Sequence, residues 1–140
     1  MGSDLKVGDI MKKDVISSQE TDTVDSVSKL MKKYKIGSVV ITKDKKAHGI
    51  ITERDLVHKV LAGKLNPQET KASAVMSFPI IVIKPQATLE EAAKAMKRHG
   101  IKRLPVINEK KELVGIITQG DIISIFPAVI DLIEEKARIK

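Results

Sequence analysis

Two heptads carry the residues best suited to chemistry. Gly49-Ile50-Ile51-Thr52-Glu53-Arg54-Asp55 returns 66 residues later as Gly115-Ile116-Ile117-Thr118-Gln119-Gly120-Asp121, with five of seven positions identical. In each, a hydroxyl and a carboxylate stand three residues apart, just past a short aliphatic run. A Thr where a strand gives way to a helix caps that helix by accepting from an orphan backbone N–H. It also stands beside free N–H groups and the positive end of the helix dipole, where a phosphate is stabilised. The carboxylates of Asp55 and Asp121 can each accept from two adjacent hydroxyls, as a ribose diol would require. Arg54 adds a fork of donors suited to phosphate oxygens, and Gly120 replaces it in the second copy. A lone T-x-x-D is well explained as a helix cap without a ligand. Two copies behind an identical Gly-Ile-Ile favour a ligand site.

Lys102-Arg103 is the next candidate, an adjacent pair of cations suited to a polyphosphate at the mouth of a cleft. The matching positions in the first half are Gly37 and Ser38. Arg54 against Gly120, and Lys102-Arg103 against Gly37-Ser38, make the two candidate sites unequal, and the site built on Asp55 is expected to take the more anionic ligand. The site built on Asp121 is expected to be weaker, to take a ligand of lower charge, or to stay empty. His48, His58 and His99 share no metal-ligand spacing, and the chain has no Cys, so thiolate metals, disulfides and Cys nucleophiles are excluded. Neither Asp has a recognisable base or nucleophile partner in its motif. Nothing points to hydrolysis.

The elements that position these residues are themselves duplicated. Asp9-Ile10-Met11 matches Ala74-Val75-Met76 at an offset of 65, and Val15-Ile16 matches Ile80-Ile81, both suited to strands or extended segments. Helical spacing follows twice, in Val24, Val27, Leu30, Met31 and Tyr34 and in Leu89, Ala92, Ala93 and Met96. Thr23 and Thr88 stand at the N-caps, Thr88 with Glu91 forms a capping box, and His99-Gly100 ends the second helix. Strand pairs follow around the charged turns Lys43-Asp44-Lys45-Lys46 and Asn108-Glu109-Lys110-Lys111-Glu112, the second one residue longer. A further helix then uses Leu56, Val57, Val60 and Leu61 in one half, and Ile122, Ile123 and Phe126 in the other. These patterns divide the chain into a first repeat over 1–63, a polar linker over 64–73, a second repeat over 74–127 and an amphipathic C-terminal helix over 128–140. That helix covers the fold's own core or makes a dimer contact.

Composition bounds the partners. The chain carries 25 Lys and Arg against 18 Asp and Glu, a net +7 that favours anionic partners: nucleotides, nucleic acid or acidic lipid. A solvated Lys-rich surface is the plainer explanation of the charge. No run approaches a membrane span, and the first eleven residues have no apolar h-region, so a cytoplasmic protein with no membrane association is expected.

The order β-α-β-β-α occurring twice, with G-I-I-T-x-x-D in both halves and I-x-R-L-P-V-I before the second, resembles a CBS-domain pair, also called a Bateman module, from about Val7 to Pro127. The resemblance implies a mixed α+β fold, two tandem repeats packed as one pseudo-symmetric module. It also implies that Thr52, Asp55, Thr118 and Asp121 contact the phosphate and ribose of an adenine nucleotide. Lys102 and Arg103 would reach ligand phosphates across the cleft between repeats. Val15, Ile16, Ile80 and Ile81 would form the adenine slots, Pro79 reshaping the second. The implied function is regulatory and not enzymatic: a sensor of AMP, ADP, ATP or an S-adenosylmethionine-type ligand, with no cofactor required. A homodimer and a separate effector protein would transmit the signal. Nucleic-acid binding on the same scaffold is the alternative that the net charge prompts, though it lacks aromatic platforms.

Overall fold

The computed structural model describes residues 5–125. The helix expected over 128–140, and Phe126, lie outside them. The first half runs α1 (Val7–Ile10), β1 (Ser17–Gln19), α2 (Val24–Tyr34), β2 (Ser38–Lys43), β3 (Lys46–Thr52) and α3 (Glu53–Asp55), which continues as a π-helical stretch, Leu56–Leu61. The second runs α4 (Ala72–Val75), α5 (Leu89–His99), β4 (Arg103–Ile107), β5 (Leu113–Thr118) and α6 (Gln119–Ile123).

The sheets follow the duplication. β2 and β3 are antiparallel with Ser38 opposite Thr52, and β4 and β5 are antiparallel with Arg103 opposite Thr118. β1 joins β2 in parallel, pairing Ser18 with Ile41. Its counterpart in the second half is a single parallel bridge, Ile83 to Val106, so Ile80 and Ile81 lie in extended chain outside any strand. The turn over Lys43–Lys46 places Asp44 and Lys45 at positive φ, which suits a two-residue hairpin. The longer turn is organised by Asn108, whose Oδ1 accepts from Lys110 N and Glu112 N, both at 2.9 Å.

Thr23 and Thr88 cap α2 and α5, accepting from Ser26 N at 3.2 Å and Glu91 N at 3.1 Å. Among the described residues the return bond that would complete a capping box at Glu91 is missing. α5 ends on Gly100 in the left-handed conformation, and α2 ends on Lys35 in the same conformation without the glycine. Of the expected apolar positions, Tyr34 is 45% exposed. Ala93 also faces out, and Ala95 packs on the core in its place. In the stretch after Asp55, Leu56 and Val60 turn inward, while Val57 and Leu61 lie on the adjacent stripe and are 53% and 76% exposed. In α6, Ile122 packs on the core and Ile123 faces out.

The two cores exchange their first segments. Ala72 and Val75 of α4 complete the core built from Val24, Val27, Met31, Val39, Ile41, Ile51 and Val60. Val7 of α1 instead completes the core of Leu89, Ala92, Met96, Leu104, Val106 and Ile117. The glycines of the repeated heptads make this docking possible. A Cβ on Gly49 would stand 2.5 Å from Met76 Sδ, and one on Gly115 would stand 2.5 Å from Met11 Sδ. The linker is fastened too: Val24 N donates to Thr70 O and Ala72 N to Asp22 O, at 2.8 and 2.7 Å. No helix among the described residues is long and apolar enough to cross a membrane.

Candidate functional site

Both Thr–Asp pairs close on themselves. Asp55 N donates to Thr52 Oγ1 at 3.2 Å, while Asp55 Oδ2 accepts from Thr52 N at 2.9 Å and from Thr52 Oγ1 at 3.1 Å. Asp121 N donates to Thr118 Oγ1 at 3.1 Å, and Asp121 Oδ2 accepts from Thr118 N at 2.9 Å. Each is a reciprocal capping box, the ligand-free role open to such a motif. The second oxygens differ in their surroundings. Asp55 Oδ1 lies 3.1 Å from Lys59 Nζ and 3.4 Å from the Ser77 hydroxyl, whereas Asp121 Oδ1 lies 3.6 Å from Lys12 Nζ. Ser77 and Lys12 are equivalent positions of the two repeats, each reaching across from the exchanged segment.

Beside the first box lies a cleft of about 510 Å³ shared by the two halves. The first half supplies Gly37, Ile50, Thr52, Glu53 and Arg54. The chain beyond α4 adds Ser77, Pro79, Ile80 and Ile81, the approach to β4 adds Gly100, Ile101 and Lys102, and β4 itself adds Arg103 and Pro105. Strand register explains the convergence. Thr52 ends β3 opposite Ser38, so the helix start at Glu53 lies against the loop before β2, and Glu53 N donates to Gly37 O at 3.0 Å. Gln119 N donates to Lys102 O at 2.8 Å in the second half, by the same logic. The cleft walls carry Arg54, Lys102 and Arg103 against a single carboxylate, Glu53.

Six residues picked from sequence thus meet in one cleft: Thr52, Arg54, Lys102, Arg103, Ile80 and Ile81. Asp55 is not among its lining residues; it is 8% exposed, behind Thr52. Val15 instead lines a separate cavity of about 590 Å³ beside the two hairpin turns. Ile16, Thr118 and Asp121 are half-buried and line neither cavity. Sequence reasoning missed Glu53, Gly37 and Ser77. Gly37 and Ser77 were findable as the counterparts of Lys102 and Lys12, but nothing in the sequence shows that they face one space. Among the described residues no group of three His, Cys, Asp or Glu could hold a metal ion, and His48 Nδ1 instead meets Glu20 Oε1 at 3.0 Å.

Fold and site together define a duplicated α+β module with a cationic, partly apolar cleft between its halves. The chain belongs to the CBS domain family, whose model matches residues 7–62 and again 72–128. It is 39% identical over 135 residues to an uncharacterized protein of Methanopyrus kandleri, covering 96% of this chain and 69% of that one. It is 35% identical over 115 residues to hypoxic response protein 1 of Mycobacterium tuberculosis, covering 81% of this chain and 80% of that one. The crystal structure of Hypoxic Response Protein I with two coordinated zinc ions superposes with a TM-score of 0.79 at 33% identity, over 85% of this chain and 97% of that one. A CBS domain pair solved in complex with 5-methylthioadenosine and S-adenosyl-L-methionine gives a TM-score of 0.78 at 25% identity, over 86% of this chain and 98% of that one.

Proposed function

We propose that the chain is a regulatory sensor of adenosyl ligands: AMP, ADP, ATP or an S-adenosylmethionine-type compound. No catalytic step is involved. The observation that carries this reading is the make-up of the cleft. Its volume of about 510 Å³ is that of a small-molecule site. Ile50, Ile80, Ile81 and Ile101 provide aliphatic wall for a heterocycle, and Arg54, Lys102 and Arg103 provide charge for a tail. An adenosyl ligand joins those two chemistries in one molecule. The related CBS domain pair solved with 5-methylthioadenosine and S-adenosyl-L-methionine supports the same class.

Because both halves line the cleft, a ligand that fits one spacing of the halves better shifts the population towards it. The output passes to a separate effector protein from a cytoplasmic homodimer. Asp55 is buried and outside the cleft lining, so a ribose contact from its Oδ1 requires that it give up Lys59 and Ser77 and move into the cleft as the ligand enters. Titration calorimetry and thermal denaturation with AMP, ADP, ATP, S-adenosylmethionine, methylthioadenosine and GTP test the proposal. A ligand at a hundred times its Kd adds about 2.7 kcal/mol to stability. At least one adenosyl compound is expected to bind and raise the Tm. Absence of heat and of any Tm shift across the whole panel refutes the proposal.

A further inference from the structure

The cleft contains one residue that works against its charge. Glu53 opens α3, is exposed, and lines the cleft among Arg54, Lys102 and Arg103. A Cβ built on Gly37 would stand 2.6 Å from Glu53 Oε1 and 3.6 Å from Arg103 Nη2. The bare glycine is therefore the space into which a carboxylate of the first half and a guanidinium of the second half both reach. Even so, Glu53 belongs to none of the ion pairs among the described residues. Its counterpart in the second half, Gln119, is neutral, so the repeated heptad does not itself need the charge.

We propose that Glu53 sets the charge of the accepted ligand: it disfavours a polyphosphate and favours an adenosyl compound with a zwitterionic amino-acid tail. This rests on the adenosyl-ligand reading above. A carboxylate from one half and a guanidinium from the other, brought to one space beside Gly37, match an ammonium and a carboxylate carried on one tail. Each further phosphate charge drawn towards Arg54, Lys102 and Arg103 meets added repulsion from Glu53. Glu53 is exposed, so solvent screens the repulsion and keeps the effect on affinity modest.

The test is calorimetric titration of the wild type and of Glu53→Gln with S-adenosylmethionine, AMP, ATP and methylthioadenosine, whose tail is uncharged. In Glu53→Gln, measured relative to methylthioadenosine, affinity for ATP should rise and that for S-adenosylmethionine should fall, each on the order of tenfold. AMP should move in the direction of ATP by less. A purely structural role for Glu53 would move all four affinities alike, so unmoved ratios overturn the inference while leaving the adenosyl reading intact. Failure of all four ligands to bind either protein overturns the adenosyl reading and this inference with it.

Discussion

Asp55→Ala and Asp121→Ala remove the same residue from the same motif, yet the two losses of stability are expected to be unequal in the absence of any ligand. Removing Asp55 leaves Thr52 N and the Thr52 hydroxyl without the oxygen they share at 2.9 and 3.1 Å. A lost capping partner costs about 1 kcal/mol, and the second hydrogen bond about 0.5 kcal/mol. Lys59 also loses its ion pair at 3.1 Å, but its side chain is 44% exposed, so solvent screening limits that contribution to about 0.5 kcal/mol. The sum for Asp55→Ala is about 2 kcal/mol. Asp121 makes one capping bond at 2.9 Å and a 3.6 Å pair with a lysine that is 71% exposed, so its loss should cost about 1 kcal/mol. Urea denaturation of both variants and the wild type, without nucleotide, reads the difference directly. Equal destabilisation, or a larger effect at Asp121, would refute this account of the two boxes. The comparison also bears on ligand work, since weakened binding in Asp55→Ala must be separated from lost fold.

Gly49→Ala should destabilise by about 1–3 kcal/mol through overpacking, because the new methyl meets Met76 Sδ at 2.5 Å. Adding Met76→Ala should recover part of that loss in the same denaturation assay, and no recovery would place the strain elsewhere. Asp22 has its carboxyl held below the usual carboxylate range, first by the Ser18 hydroxyl at 2.6 Å and then by Gln19 N at 2.8 Å. A depressed native pKa adds stability above the unfolded value of about 3.9 and loses it as pH falls through the native value. The urea midpoint of the wild type should therefore drop more steeply below about pH 4 than that of Asp22→Asn. Parallel curves would show that Asp22 contributes nothing to acid sensitivity.

Much of the fold was legible because it is written twice. The strand pairs, their charged turns and the capped helices follow from periodicity within each half, and the in-register heptads tie the halves together. Tertiary choices were less visible. Ile10 and Val75 read as parts of short strands or extended segments of their own repeats, yet they lie in the short helices α1 and α4 and pack on the other repeat's core. A four-residue helix carries too few positions to name its partner. Lys35 in a left-handed cap was equally hidden, since sequence points to glycine there. At the site, Arg54, Lys102 and Arg103 are legible as phosphate-binding residue types, and strand register brings all three to one cleft. Gly37 looked like the loss of a cation. The structure shows it as the opening through which Glu53 and Arg103 reach the same space.

The exchanged first segments have a bearing on how the chain is made. During vectorial synthesis, Val7 emerges long before its core partners Leu104, Val106 and Ile117, so it waits unsheltered until they follow. The first repeat, for its part, is not closed when residue 63 leaves the ribosome, because Ala72 and Val75 are still to come. Neither half is thus a folding unit that ends where its sequence pattern ends. A nascent chain halted between the repeats would carry an unfilled core, together with an apolar N-terminal segment free to fill the wrong one.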